Sequence, residues 1–327
     1  MSEKDTVQEE LQQAVNGNEP QQDSPKGKKK KEKVKKSVGR EILEWVLTIL
    51  VAVVAALVIR SFIFELVRVE GSSMEDTLQD QEIMLVSKFD YSSTWLSLPF
   101  QSNNAVERAS RITFGTPKRL DVVICRYPAR GGVNFVKRVV GLPGETVELR
   151  NGYLFIDGEQ IEEESEIAGI TDDTHDYREG ARTMGGTYYV PKKGDTLTVA
   201  EDFSLQINGN KWDRRMTCLV AKDGNGKQLK IYTQNADENS RETDSRKIKT
   251  ETVVSYNGKI WKAKEFLVEY PELAGQELTV DEDYYYVMGD HRNNSNDSRT
   301  VGALERSAII GHVRRVVYPF GEWRGIE

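Results

Sequence analysis

The chain has 327 residues, of which 30% are charged and 38% hydrophobic, and its formal net charge is −7. Residues 1–40 are net basic, so the rest is more acidic than the whole, which argues against nucleic acid as a partner. The two cysteines and three histidines show no spacing typical of a metal site, so we expect no metal.

Residues 1–40 are rich in Gln, Glu, Asn and Lys and contain little that a fold could bury. This composition predicts a disordered basic tail. Its lysine run, between Lys26 and Lys36, is also suited to contact with anionic lipid headgroups.

An uncharged apolar run, Trp45 to Ile59, follows the tail. We interpret residues 41–64 as one tilted transmembrane helix, with Arg60 extending its side chain to the headgroups. The excess of basic residues before the run predicts a cytoplasmic N-terminus, so the remainder faces outward. The run could also be a cleaved secretory signal or a buried core helix, but the long basic tail and the absence of a polar face favour the membrane anchor.

The rest of the chain is predicted to be mainly β. Short runs rich in branched or aromatic residues, such as Asp121–Cys125 and Tyr284–Met288, are bounded by turn-forming residues. Asn151-Gly152 indicates a tight hairpin. The more polar stretch 162–265 is interpreted as an inserted, variable β subdomain.

Two local features have open interpretations. The apolar segment Ser92–Phe100 fits either an interfacial membrane contact or ordinary core packing. Cys125 lies in an apolar strand and is expected to pack as a small hydrophobic residue, whereas a disulfide with Cys218 cannot be judged from spacing.

Three polar stretches have residues suited to catalysis: Gly71–Leu78, Asn134–Glu145 and Gly289–Arg299. A serine in the first stretch needs a base to act as a nucleophile. Lys137, in the second, lies among Phe and Val residues, and burial there would lower its pKa and allow the neutral amine to act as a general base. The third is dense enough in charge to hold a buried ion pair and a hydroxyl that orients the amine.

These stretches, in this order behind an anchor, resemble bacterial type I signal peptidase. The similarity runs from about Ser61 to Tyr318 through Gly71-Ser-Ser-Met74, Lys137-Arg-Val-Val-Gly-Leu-Pro-Gly144 and Gly289-Asp to Asp297-Ser-Arg299. It is weakest between residues 162 and 265. The resemblance implies a catalytic β domain in two parts, 65–161 and 266–327, interrupted by the inserted β subdomain and preceded by one transmembrane helix.

Carried over by position, the resemblance implies that Ser73 is the acylated nucleophile and Lys137 the general base. Ser295 corresponds to a serine that hydrogen-bonds the lysine amine, and Asp297 with Arg299 to a supporting salt bridge.

The resemblance also implies substrate pockets lined by Val67, Val69, Phe135 and Val136, whose small apolar walls would select small side chains, typically Ala, at the first and third residues before the cut. The backbone N–H of Ser73 is expected to donate to the oxyanion. Gly71 stands where some members have a serine donor, which leaves the second donor open.

Asp76 replaces the proline common in the family, and His291 stands where Asn is commoner. His291 raises the possibility of a Ser–His enzyme, but Lys137 occupies the position at which eukaryotic-type relatives carry their histidine base. A self-cleaving repressor-type protease would share the Ser-Lys pairing but lack the anchor. A non-catalytic anchored binding domain would leave Ser73 and Lys137 as ordinary turn and strand residues.

The function implied is a membrane-bound serine endopeptidase that removes N-terminal signal peptides from exported preproteins. Its partners would be those signal peptides and membrane lipid. The resemblance requires no cofactor, metal or second subunit, so we expect a monomer in the cell membrane with its catalytic domain outside the cytoplasm.

Overall fold

The computed structural model describes residues 38–75, 77–93, 112–113, 115–126, 134–150, 153–161, 187–235 and 249–326. Several features named above lie outside the described residues. They are nearly all of the basic tail, Asp76, residues 94–100 of the apolar segment, the Asn151-Gly152 turn, and residues 162–186 and 236–248 of the polar stretch.

One long helix, α1 (Val38–Phe62), has 25 residues. It is about 37 Å long, enough to cross a hydrocarbon core of about 30 Å. An 18-residue window within Val38–Ile59 has a mean hydropathy of 2.8, and none of it is buried in the protein. These properties are consistent with the predicted single-pass anchor, and the exposure argues against a core helix.

The chain enters the first β-sheet directly after α1. In the described residues this sheet has eight strands. They are β1 (Phe64–Arg68), β2 (Ile83–Ser87), β5 (Val122–Arg126), β6 (Asn134–Gly141), β19 (Tyr284–Met288), β20 (Leu304–Glu305), β21 (Ile309–Tyr318) and β22 (Arg324–Gly325). Seven are ordered β1-β2-β21-β5-β6-β19-β20, and β22 pairs with β21. The order places β6 in the middle, between β5 and β19.

The second large sheet also has eight strands within the described ranges. They are β11 (Thr196–Val199), β12 (Leu205–Ile207), β13 (Asn210–Trp212), β14 (Leu219–Lys222), β15 (Gln228–Asn235), β16 (Thr250–Tyr256), β17 (Lys259–Lys262) and β18 (Glu277–Val280). Their order in the sheet is β13-β12-β11-β18-β14-β15-β16-β17. Helix α2 (Ala263–Glu269) packs on this sheet through the buried Phe266.

Smaller elements complete the described fold, which is mainly β as predicted. They are β3 (Ser92–Ser93), β4 (Ile112–Thr113), β7 (Thr146–Arg150), β8 (Tyr153–Ile156), β9 (Glu159–Gln160), β10 (Thr187–Tyr189) and helix α3 (Ser298–Val301). A four-stranded sheet has the order β10-β7-β8-β9, and β3 pairs with β4. Short 3-10 turns lie at Pro271–Leu273, Arg292–Asn294 and Arg306–Ala308.

Several strand pairings cross the predicted boundaries of the inserted subdomain, residues 162 and 265. β18, which follows residue 265, pairs with β11 and β14 in the second sheet, whereas β10 pairs with β7. The boundaries 162–265 of the inserted subdomain stay a prediction. β7 and β8 are antiparallel with Arg150 opposite Tyr153, as the hairpin prediction required. Cys125 is buried, which confirms its packing prediction, and both cysteines are free.

A fully buried ion pair connects the centre of the first sheet to the segment after β19. Arg138 on β6 donates from Nε to Asp290 Oδ1 at 2.9 Å and from Nη2 to Asp290 Oδ2 at 2.8 Å. Both side chains have 0% exposure. Thr77 Oγ1 donates to the same carboxylate at 2.6 Å. The pair therefore joins all three polar stretches.

Removing one partner of this pair is expected to destabilise the protein strongly, because it leaves the other charge buried without compensation. We predict that Asp290→Ala lowers the free energy of unfolding by roughly 3–5 kcal/mol, measured by urea titration of the detergent-solubilised protein. Glu148→Ala, which breaks an exposed pair with Arg150, is the control and should change it much less. Equal losses in the two variants would contradict the prediction.

Candidate active site

Ser73 lies in a tight turn fixed by its neighbours. Gly71 has a φ of 93°, a conformation that glycine adopts without steric cost, and its N–H donates to Asp80 Oδ1 at 2.8 Å. Met74 and Leu78 are buried in one hydrophobic cluster, and Leu78 N–H donates to Met74 O at 2.7 Å. The buried side chains hold the turn, while Ser73 remains partly exposed.

Lys137 comes from the centre of β6 and reaches this turn. It pairs with Val123 across the sheet, and its side chain lies on the same face as Phe135, whose ring centroid is 5.8 Å from Nζ. Lys137 Nζ is 2.6 Å from Ser73 Oγ and donates to the carbonyl of Val136 at 2.7 Å. The structure thus brings together the two residues expected to form the dyad.

The surroundings favour the neutral form of the Lys137 amine. Burial lowers its pKa from the ordinary value of 10.5, and although Cys125, Asp297 and Asp290 act in the opposite direction, they do not offset burial. Burial also raises the pKa of Cys125 to about 12, so that thiol is uncharged at neutral pH. A neutral amine at hydrogen-bond distance from a hydroxyl can accept its proton and activate the oxygen as a nucleophile.

The segment after β19 holds the Ser72–Ser73 backbone. His291 N–H donates to Ser73 O at 3.2 Å, and His291 Nδ1 lies 3.1 Å from Ser72 O. Asn294 Nδ2 donates to Ser72 Oγ at 2.8 Å, and Glu75 Oε2 is 3.2 Å from His291 Nδ1. His291 therefore contacts backbone carbonyls of the turn, while Lys137 is the residue at the Ser73 hydroxyl.

Ser295 differs from expectation. Its hydroxyl is buried and forms no hydrogen bond to Lys137 among the described residues, but it lies close enough to Asp297 to help lower the pKa of that carboxyl. The lysine amine is engaged by Ser73 Oγ and the Val136 carbonyl instead. Ser295 Oγ packs over Gly289, where a Cβ would collide with Ser295 and with the Ser73 carbonyl. Glycine at 289 allows this close approach.

Asp297 and Arg299 are brought together as a bidentate pair. Arg299 Nε donates to Asp297 Oδ1 at 2.9 Å and Nη2 to Oδ2 at 2.8 Å. Burial alone would raise the pKa of Asp297, but the hydrogen bonds and charge of Arg299, with the Gly289 N–H, lower it below its usual value. The carboxylate also accepts from Gly289 N–H at 3.0 Å, and Arg299 Nη2 donates to Arg292 O at 2.7 Å. The pair therefore anchors both ends of the 289–292 segment.

The four residues expected to line the substrate pockets lie on two faces of the first sheet. Val67, Val69 and Val136 pack in the hydrophobic cluster that contains Met74. Phe135 packs in a different cluster, on the face that carries Lys137. The structure thus places one of these four residues near the lysine amine and the other three in the hydrophobic cluster that contains Met74.

Sequence reasoning missed several contacts of the site. The Arg138–Asp290 pair was not assigned, although a charged side chain inside the apolar run of β6 signals a buried partner. Asn294 and the backbone contacts of His291 depend on the loop's path and have no local signal. Thr77 lies in the Gly71–Leu78 stretch, but no local pattern there predicts its hydrogen bond to Asp290.

Comparisons with known proteins agree on one family. A family profile described as "Signal peptidase, peptidase S26" matches residues 42–318. The chain is 38% identical over 133 residues to "Signal peptidase I P" of Bacillus subtilis subsp. natto, covering 41% of this chain and 59% of that protein. It is 40% identical over 108 residues to "Signal peptidase I" of Pseudomonas fluorescens, covering 33% of this chain and 35% of that protein.

Two further matches extend over more of the chain. "Signal peptidase I" of Buchnera aphidicola subsp. Baizongia pistaciae is 25% identical over 273 residues, which is 81% of this chain and 74% of that protein. A crystal structure of a signal peptidase I from Enterococcus faecalis V583 has a TM-score of 0.26 and 20% identity, covering 61% of this chain and 97% of that chain.

The chain spans 59% and 35% of the length of the first two relatives. The family profile, in contrast, extends from within α1 to the end of β21 and includes Ser73, Lys137 and the whole 289–299 segment. Because that match covers most of the sequence, the chain belongs to the signal peptidase family, peptidase S26.

Proposed function

We propose that this protein is a membrane-bound serine endopeptidase that removes N-terminal signal peptides from exported preproteins by a Ser-Lys dyad mechanism. The observation that carries the proposal is the distance of 2.6 Å between the buried Lys137 Nζ and Ser73 Oγ. Family membership supports it, since relatives that match the chain are named signal peptidase I.

In the proposed reaction, Lys137 accepts the proton of Ser73 as Oγ attacks the scissile carbonyl. The backbone N–H of Ser73 donates to the developing oxyanion. Lys137 then protonates the leaving amine, which releases the mature protein and leaves the signal peptide as an acyl ester on Ser73. Water, deprotonated by the same amine, hydrolyses the ester and restores the hydroxyl.

The supporting residues act through position. The Asp297–Arg299 pair holds Gly289 and Arg292 by hydrogen bonds, and this segment in turn fixes the Ser73 carbonyl through His291. Ser295, buried over Gly289, is proposed to orient the lysine amine when substrate displaces the contact between Lys137 and Ser73.

Substrate preference follows from the apolar side chains beside the dyad. Val67, Val69, Phe135 and Val136 are proposed to line shallow pockets that admit small residues, typically Ala, at the first and third positions before the cut. A larger side chain would have to displace packed valines, and close-packed interiors resist this.

Tethering explains why the site follows an anchor so closely. We propose that the N-terminus is cytoplasmic, that the β domain is extracytoplasmic, and that membrane lipid surrounds α1. A preprotein held in the same bilayer by its own signal peptide then meets the site at a raised effective concentration. The monomer suffices, since Ser73 and Lys137 come from the same chain.

The first prediction concerns the nucleophile. Ser73→Ala should lower kcat for a model preprotein by at least about a thousandfold, because no other group replaces the attacking oxygen. Ser72→Ala should retain most of the activity, since the Ser72 hydroxyl is bonded to Asn294. Cleavage by detergent-solubilised protein, with unfolding followed in parallel, is the measurement. Full activity of a folded Ser73→Ala variant would favour a binding domain instead.

The second prediction concerns pH. The base must be neutral, so kcat/KM should rise as pH increases through the pKa of Lys137, and burial moves this rise below the ordinary 10.5. Lys137→Arg, which stays protonated, should be inactive throughout the range. A flat profile in the wild type, or the same rise in a folded Lys137→Arg variant, would count against the dyad.

The third prediction concerns specificity. Val136→Ala should enlarge a pocket and raise the ratio of kcat/KM for Leu relative to Ala, at the third residue before the cut, by about tenfold. Val268→Ala, which truncates an exposed side chain on α2, is the matched control and should leave the ratio unchanged. An unchanged ratio in Val136→Ala would remove Val136 from the pocket.

A further inference from the structure

We propose that Arg215, in the segment between β13 and β14, is a positioning residue that holds the active-site segment through the first two residues of α3. The kinetic test of this inference rests on the proposed peptidase function, whereas the hydrogen-exchange test does not. The inference assigns a role at the active site to part of the polar stretch 162–265. This is the stretch in which the resemblance to signal peptidases is weakest.

The guanidinium of Arg215 binds the carbonyls of Ser298 and Arg299, the first two residues of α3. Arg215 Nη1 donates to Ser298 O at 3.2 Å and also to Arg299 O. The Ser298 carbonyl also accepts from Gly302 N–H at 2.9 Å, whereas the carbonyls of Arg299 and Val301 accept from Arg215 and from Met216 N–H, both outside this four-residue helix.

The backbone and the ring beneath it aim the Arg215 side chain. Arg215 has a φ of 51°, in the left-handed region that arginine seldom adopts, and its N–H donates to Asp213 Oδ1 at 3.1 Å. Its guanidinium carbon lies 5.3 Å from the ring centroid of the buried Tyr188. The turn and the stacking together direct the guanidinium towards α3.

The residues after Arg215 close around the end of the same helix. Met216 N–H donates to Val301 O at 3.0 Å, and Thr217 Oγ1 donates to Ala303 O at 2.7 Å. Gly302, with a φ of 84°, packs so tightly that a Cβ would collide with Thr217 Oγ1 and approach the Arg214 carbonyl to 2.9 Å. The segment therefore fits one position of α3 and would oppose its displacement.

α3 transmits this constraint to Ser73 through hydrogen bonds already described. Asp297, which caps the first turn of α3, accepts from Gly289 N–H, and Arg299 within α3 donates to Arg292 O. His291 lies between Gly289 and Arg292, and its N–H donates to the Ser73 carbonyl. A shift of α3 would thus displace the segment that holds the reacting serine.

The structural test uses hydrogen exchange on the full-length protein in detergent. Arg215→Ala is expected to raise the exchange rates of the Gly289, Val301 and Gly302 amides by about tenfold, while amides of β15 and β16 stay unchanged. Lys211→Ala, an exposed substitution on β13, should change none of them. Unchanged rates at the three amides in Arg215→Ala would overturn the proposal whether or not the protein cleaves preproteins.

The kinetic test separates positioning from general stability. Arg215→Ala should lower kcat for a model preprotein by about tenfold to a hundredfold with KM unchanged, since small displacements of a reacting group have effects of this size. Arg215→Lys, which can still donate to one carbonyl, should recover part of the loss. An unchanged kcat, or an effect confined to KM, would overturn the proposal.

Two outcomes distinguish this proposal from the proposed function. If the wild type cleaves no preprotein, the peptidase proposal fails and the exchange rates alone decide the role of Arg215. If the amides of β15 and β16 also exchange faster in Arg215→Ala, the exchange measurement is repeated with Arg215→Gln. This variant retains the bulk of the side chain while removing its charge. The same three amides must then exchange faster, or the proposal is overturned.

Discussion

The structure of the site depends on the desolvation of one lysine. Lys137 is 1% exposed, so its charged form has little stabilisation from water, and Cys125 and two nearby carboxylates act against this effect. Asp290 and Asp297 act in that direction, yet each is already held in a bidentate pair, by Arg138 and Arg299 respectively. Burial prevails over these carboxylates, the charge of Arg299 acts in the same direction as burial, and the pKa of the amine lies below its ordinary value. The ion pairs thus have an electrostatic effect on the amine besides their structural one.

Because side chains alternate between the two faces of a strand, β6 supplies both the lysine beside Ser73 and the arginine of the buried ion pair. Lys137 and Arg138 are adjacent in sequence, so their side chains lie on opposite faces, one beside Ser73 and the other in the buried pair with Asp290. The Thr77 hydroxyl, which shares that carboxylate, lies in the same turn as Ser73. The turn is therefore held from both faces of one strand. This arrangement accounts for a distance of 2.6 Å between groups 64 positions apart in the chain.

The features that sequence could predict are those encoded locally. The long apolar helix, the hairpin between β7 and β8, and Ser73 and Lys137 as the two groups that meet each depend on a short run of residues with a recognisable pattern. The Ser295 contact was predicted by analogy of position, but the direction of its hydroxyl depends on how the loop packs over Gly289. The pairing of β18 with β11 and β14 is a choice among distant strands, which alternating patterns alone do not specify.

The second sheet and the active site share one continuous structure. β19 is buried on both faces, and its residues alternate between two clusters. One cluster contains Tyr284, Tyr286 and Met288 together with side chains of the second sheet. The other contains Tyr285 and Val287 together with Cys125 on β5, the strand next to β6 and Lys137. Immediately after β19 the chain forms the Gly289–His291 segment that holds Ser73. Since close-packed interiors transmit displacement, substitutions along β19 are expected to disturb the Gly289–His291 segment more than substitutions in the loops of the second sheet.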